Sequence, residues 1–71
     1  MTLTNQTIDA MESANYFGSD DANTTYLIRS IWTDKMAELG YPVGSEWDDW
    51  QQDDFDLAAS NALTLAVESV G

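Results

Sequence analysis

A chain of 71 residues cannot enclose two hydrophobic cores, yet 44% apolar content with three Trp, three Tyr and two Phe is too rich for disorder. Thirteen Asp and Glu stand against two Lys and Arg, and with no His the formal net charge is −11, which argues against direct binding to nucleic acid or anionic membrane surfaces. Cysteine is absent, so disulfides and thiolate metal sites are excluded.

The first predicted element runs from about Thr4 to Tyr16. Thr4 suits an N-cap, and Ile8 and Met11, with Ala14 or Asn15, supply a short apolar stripe. Phe17-Gly18-Ser19-Asp20 then reads as a turn in which Gly18 can take a left-handed conformation. Nothing in the first ten residues has the basic region or apolar run of a signal peptide, and no stretch approaches the length of a membrane span. A cytoplasmic protein is expected, with the glycosylation patterns at Asn5-Gln6-Thr7 and Asn23-Thr24-Thr25 matching by chance.

The second element, about Ala22 to Leu39, has the strongest periodicity. Ile28, Ile31, Trp32, Met36 and Leu39 recur at three- and four-residue spacing, with Leu27 at the edge of the same face. Gly40 is placed as a C-terminal cap, Pro42 follows, and Lys35 sits near the negative helix end. Thr24, Thr25, Tyr26 and Ile28 are also strand-friendly, so an α+β fold with a strand near 23–31 is the alternative.

The third element follows Tyr41-Pro42-Val43-Gly44. Ser45 can cap a helix, with Asp48 standing where a capping box carries Glu. From Glu46 to Val70 no Gly or Pro intervenes, which predicts either one helix over 46–70 or a short turn over 46–51 re-capped at Asp53 or Asp54. Phe55, Ala58, Ala59, Ala62, Leu65 and Ala66 form a stripe of mostly small residues, widened by Leu63, Val67 and Val70, against which another helix can pack closely. The expected fold is all-α, a small single-domain bundle of three or four helices over residues 1–71.

Catalytic chemistry finds little material. General acid–base work is most often done by His, which is absent, and Lys35 is the one side-chain amine available to activate a nucleophile. Paired carboxylates hydrolyse glycosides only in a cleft that holds a sugar, for which so small a bundle is a poor host. No enzyme and no cofactor are expected. Calcium is the metal that Asp-rich segments suggest. However, Asp48-Asp49-Trp50-Gln51-Gln52-Asp53 has neither the alternation nor the glycine of an EF-hand loop, and the 18–23 turn fails likewise. An acyl carrier protein is also small, acidic and helical, but its phosphopantetheine-bearing Ser follows an Asp, and no Asp-Ser pair occurs here.

What remains is the acidic run itself. On a helix, Glu46, Asp49, Asp53 and Asp56 would line one face, and Asp9, Glu12 and Tyr16 would do the same on the first helix. Neighbours at that spacing lie about 5–6 Å apart at Cβ, comparable with phosphates along one nucleic-acid strand at about 3.4 Å of axial rise each. A row of carboxylates can therefore stand in for phosphates before Lys and Arg groups. The competing reading is a solvated face, in its sharper form a salt-adapted protein, since nine Asp outnumber four Glu and Lys is nearly absent. Of Trp47 and Trp50, one is expected in the core beside Trp32 and the other at an interface among carboxylates. Arg29 and Lys35 are expected to pair with Asp34 or Glu38.

Size, charge, the lack of Cys and His, and the Glu46–Asp56 run with Trp47, Trp50 and Phe55 interleaved resemble the small phage-encoded nucleic-acid mimics, especially anti-CRISPR proteins and more distantly anti-restriction proteins. The resemblance covers the whole chain loosely and no motif tightly. It implies stoichiometric blocking of a nucleic-acid-binding groove on a CRISPR effector in the bacterial cytoplasm, without catalysis. The expected partner is a basic nucleic-acid-binding protein or complex, met by Asp48, Asp49, Asp53, Asp54 and Asp56, with Glu46 and Trp50 at the rim and Asp20 and Asp21 as a secondary patch. The alternatives are an acidic module masking another basic protein, and a salt-adapted structural protein. Oligomeric state is not indicated.

Overall fold

A computed structural model describes residues 2–47 and 51–70. Three helices carry the chain: α1 over Asn5–Ser13, α2 over Ala22–Glu38 and α3 over Gln52–Val70. The fold is the expected all-α bundle, and the alternative strand near 23–31 lies inside α2. The strand-friendly threonines there act as capping partners. Asp21 is the N-cap of α2, and its carboxylate accepts from the Thr24 backbone N–H at 2.8 Å and the Thr24 hydroxyl at 2.7 Å. Thr25 donates to the Ser19 carbonyl at 3.1 Å. Local hydrogen bonding at the helix start overrides the β preference.

Thr4 caps α1 as expected, accepting from the Thr7 N–H at 3.0 Å. The helix then stops at Ser13, three residues before the predicted end. Asn15 turns left-handed at φ 60°, and the bonds Asn15 N–H to Glu12 O (3.0 Å) and Tyr16 N–H to Met11 O (2.9 Å) close a Schellman motif. The end of α2 repeats the device. Gly40 takes φ 98°, with Gly40 N–H to Ala37 O at 3.1 Å and Tyr41 N–H to Met36 O at 2.8 Å. Both α1 and α2 thus end on a left-handed residue followed directly by a tyrosine.

At Glu46 and Trp47 the chain departs from the helical expectation. Glu46 pairs with Thr2 in an isolated antiparallel bridge, and Thr2 donates its hydroxyl to the Glu46 carboxylate. Leu3 N–H bonds Ser45 O at 2.8 Å and Gly44 N–H bonds Leu3 O at 2.6 Å. Ser45 caps no helix, because its hydroxyl donates to the Pro42 carbonyl and α3 begins only at Gln52. This pairing secures the N-terminal segment and puts Leu3 in the core at 1% exposure.

The principal helix contact is between α2 and α3. Ile28, Trp32 and Met36 recur every fourth residue along α2 and are fully buried, while Ala58, Ala62 and Ala66 do the same on α3. Large residues on one helix meet a row of alanines on the other, which fills the interface without clashes. Phe17, Ile8 and Leu3 complete the core, with Met11, Tyr16, Leu27, Ile31, Tyr41, Trp47, Ala59 and Leu63 packed at its edge. Leu39, Leu65 and Val67, placed in the apolar stripes by periodicity, are instead 47%, 48% and 55% exposed, because they fall outside the arc each helix turns inward.

Candidate partner-binding surface

The centre of the molecule is aromatic. Trp32 packs edge-on against Phe17 at 5.6 Å, Tyr16 at 6.3 Å and Phe55 at 5.9 Å between ring centroids. Its indole N–H donates to the Phe55 carbonyl at 3.2 Å, so the buried polar atom of the largest core residue is satisfied. Phe55 is also met edge-on by Tyr41 at 5.9 Å and Trp47 at 5.1 Å. Phe55 therefore ties the start of α3 to the C-terminal half of α2, to Tyr41 just beyond it and to the loop before α3.

On this base stand the acids of the first turns of α3. Tyr16, just past the end of α1, donates its hydroxyl to Asp56 Oδ1 at 3.0 Å. Tyr41, just past the end of α2, donates to Asp54 Oδ2 at 3.1 Å. Gln52 adds a second donor to Asp56 Oδ1 at 3.1 Å. Burial pushes the Tyr16 phenol up, and the carboxylate it bonds pushes it further. Tyr41 is raised by desolvation and by its bond to Asp54. Asp53 and Asp54 also sit in the first turn, where the helix dipole favours negative charge. Tyr41 and Gln52 carried no signal in the charge pattern, and Tyr16 was aligned there with the acids of α1; each Tyr could have been found as the residue directly after a helix-ending Asn or Gly.

Of the expected contact residues, Asp53, Asp54 and Asp56 are brought together here. Asp48, Asp49 and Trp50 lie outside the described residues. Glu46 does not join Asp53 and Asp56 on a helix face, since it belongs to the bridge with Thr2, whose hydroxyl holds the Glu46 carboxyl below its ordinary value. Asp20 and Asp21 lie in the loop after Gly18, apart in sequence from the α3 acids. A Cβ on Gly18 would meet Leu63, which places the 18–21 loop beside the second half of α3, about two turns from Asp56. Asp21 is occupied as the N-cap of α2, and the bonds from Thr24 lower its pKa.

The cations are committed within the fold. Arg29 Nη1 lies 2.6 Å from Asp9 Oδ1 and 3.8 Å from Glu12 Oε1, joining α2 to α1. The expected pairing of Arg29 with Asp34 or Glu38 is not made, because Arg29 lies on the α1 side of α2. Lys35 pairs with Glu38 at 3.7 Å. The predicted acid row of α1 is thereby spent, Asp9 and Glu12 on Arg29, while Tyr16 lies beyond the helix end. Asp20, Asp34, Asp53 and Glu68 make no hydrogen bond through their side chains and no ion pair with another described residue. Among the described residues no group of three or more acids is arranged to hold a metal ion, and no helix is long and apolar enough to cross a membrane.

Trp47 is half-buried on Phe55 and lines a cleft of about 240 Å³ together with Thr7, Met11, Tyr16, Gln52 and Phe55. The cleft opens between α1 and the start of α3, beside Asp56. Searches against known protein families, curated proteins and solved structures found no match.

Proposed function

We propose that this chain is a non-catalytic inhibitor whose carboxylates stand in for nucleic-acid phosphates and block a basic DNA- or RNA-binding surface, the target being a CRISPR effector complex as in the phage-encoded inhibitors it resembles. The observation that carries the reading is the held position of Asp54 and Asp56. Each accepts a phenolic hydrogen bond through one oxygen, while no described residue donates to the other. These carboxylates are positioned before a partner arrives, so less ordering entropy is lost on binding. With Arg29 and Lys35 already paired, the acids that remain give the surface the sign of a phosphate backbone.

The test is displacement of labelled target DNA from purified CRISPR effector complexes. The native protein is expected to block DNA binding stoichiometrically, with potency falling as salt rises. A variant carrying Asp53→Asn, Asp54→Asn and Asp56→Asn keeps the acceptors for Tyr16 and Tyr41, stays folded by circular dichroism, and is expected to lose the block. Failure of the native protein to displace nucleic acid from any effector class overturns the reading. A block that the neutralised variant retains in full removes the α3 acids from it.

A further inference from the structure

We infer that the cleft between α1 and the start of α3 is a socket for one arginine side chain of the basic partner, a conclusion that rests on the reading above and names the contact at its centre. The cleft holds about 240 Å³, below the roughly 300–1,000 Å³ of small-molecule sites and suited to a single long side chain. Its walls are those an arginine uses. Met11 and Phe55 offer apolar surface for the aliphatic stem, and Tyr16 and Trp47 offer aromatic rings for the guanidinium. Two of the lining residues, Tyr16 and Gln52, donate to Oδ1 of Asp56, which sets this exposed carboxylate next to the cleft, and no described residue donates to its Oδ2. A guanidinium lying on the rings can donate to that oxygen.

Charge decides the sign of the occupant. The chain carries −11, and both of its cationic side chains are engaged elsewhere, so an anionic side chain would enter against the field and a cationic one with it. Geometry decides between the cations. A planar guanidinium stacks on rings and forks onto oxygens, whereas an ammonium is a strongly hydrated point charge that gains less from an aromatic wall. An apolar anchor of the same size would gain nothing from the Asp56 carboxylate.

The probes are fluorescein-labelled octa-arginine and octa-lysine peptides, with binding followed by anisotropy and by the indole resonances of the 15N-labelled protein. The arginine peptide is expected to bind about tenfold more tightly than the lysine peptide and to shift the Trp47 indole resonance. Asp56→Asn, which keeps the acceptor for Tyr16, is expected to weaken the arginine peptide about tenfold. Asp34→Asn removes the same charge away from the cleft and is expected to change affinity less than about twofold. Met11→Lys places a tethered cation in the cleft and is expected to abolish the arginine preference; should it unfold, Asp56→Asn against Asp34→Asn decides. Equal affinities for the two peptides, or equal losses in the two Asn variants, overturn the socket and leave only diffuse attraction. Full inhibition of an effector by Asp56→Asn and Met11→Lys likewise overturns the socket while mimicry stands. An arginine preference without any displacement of nucleic acid keeps the socket and overturns the mimicry.

Discussion

Tyr16 and Tyr41 give the acidic surface its order. Each follows the residue that ends its helix, each packs a ring into the aromatic core, and each reaches an aspartate of α3. Tyr16→Phe keeps the ring and removes the bond, with an expected loss of about 1 kcal/mol in urea unfolding. Asp56→Asn, whose amide oxygen still accepts, is expected to lose less. Folding raises both phenol pKa values above the ordinary 10.0, so the folded state holds these protons more tightly than the unfolded chain. Their contribution is complete below pH 10 and is lost as the pH climbs through the raised values. Thermal melts from pH 8 to 12 are expected to show the midpoint falling above pH 10, with a flatter profile in Tyr16→Phe/Tyr41→Phe. At this scale the sequence showed which residues are acidic, but not that Asp54 and Asp56 have phenol partners, since those bonds span 13 and 40 residues.

At the scale of elements, the helix ends and the alanine row do most of the specifying. Gly40 takes φ 98° with open space around a would-be Cβ, so Gly40→Ala tests backbone strain alone, with an expected cost of about 1 kcal/mol. At the matching position in α1, Asn15→Gly relieves the left-handed strain and is expected to stabilise by a few tenths of a kcal/mol. Ala62 is fully buried in the α3 face that packs on α2, and Ala62→Leu is expected to cost about 1–3 kcal/mol by overpacking. Differential scanning calorimetry reads all three. The α2 helix was nearly legible from its spacing and its glycine. The shortened α1 was not, because Asn15 carries a weaker stop signal than glycine. The start of α3 at Gln52 matches the second of the two readings, the helix re-started near Asp53, but the sequence could not choose between them because 46–51 contains no breaker. Glu46 is taken from helix by pairing with Thr2, a contact 44 residues distant.

The whole molecule measures 34 × 21 × 16 Å and holds a charge of −11. At 10 mM salt the Debye length is about 30 Å, so nearly every carboxylate feels every other; at 1 M it is about 3 Å and most of that repulsion is screened. The melting midpoint is expected to rise steadily over this range. The neutralised variant Asp53→Asn/Asp54→Asn/Asp56→Asn is expected to start higher and rise less. A flat profile for the native protein would show that self-repulsion is no burden on this fold.

Composition and periodicity by themselves favoured an all-α domain over an α+β one and marked the α2 core of Ile28, Trp32 and Met36, the caps at Thr4 and Gly40, and a large excess of negative charge. These follow from local geometry: a 3.6-residue period, a side chain reaching its own helix end, a left-handed residue, a count of charges. Tertiary structure alone decided that Leu3 and Phe17 are core, that Arg29 joins α2 to α1, and that Glu46 leaves the acidic row for the bridge to Thr2. It also decided which acids are held by tyrosines and that a cleft opens beside Asp56. Each of these depends on which residues meet across long chain separations, and no local pattern encodes that.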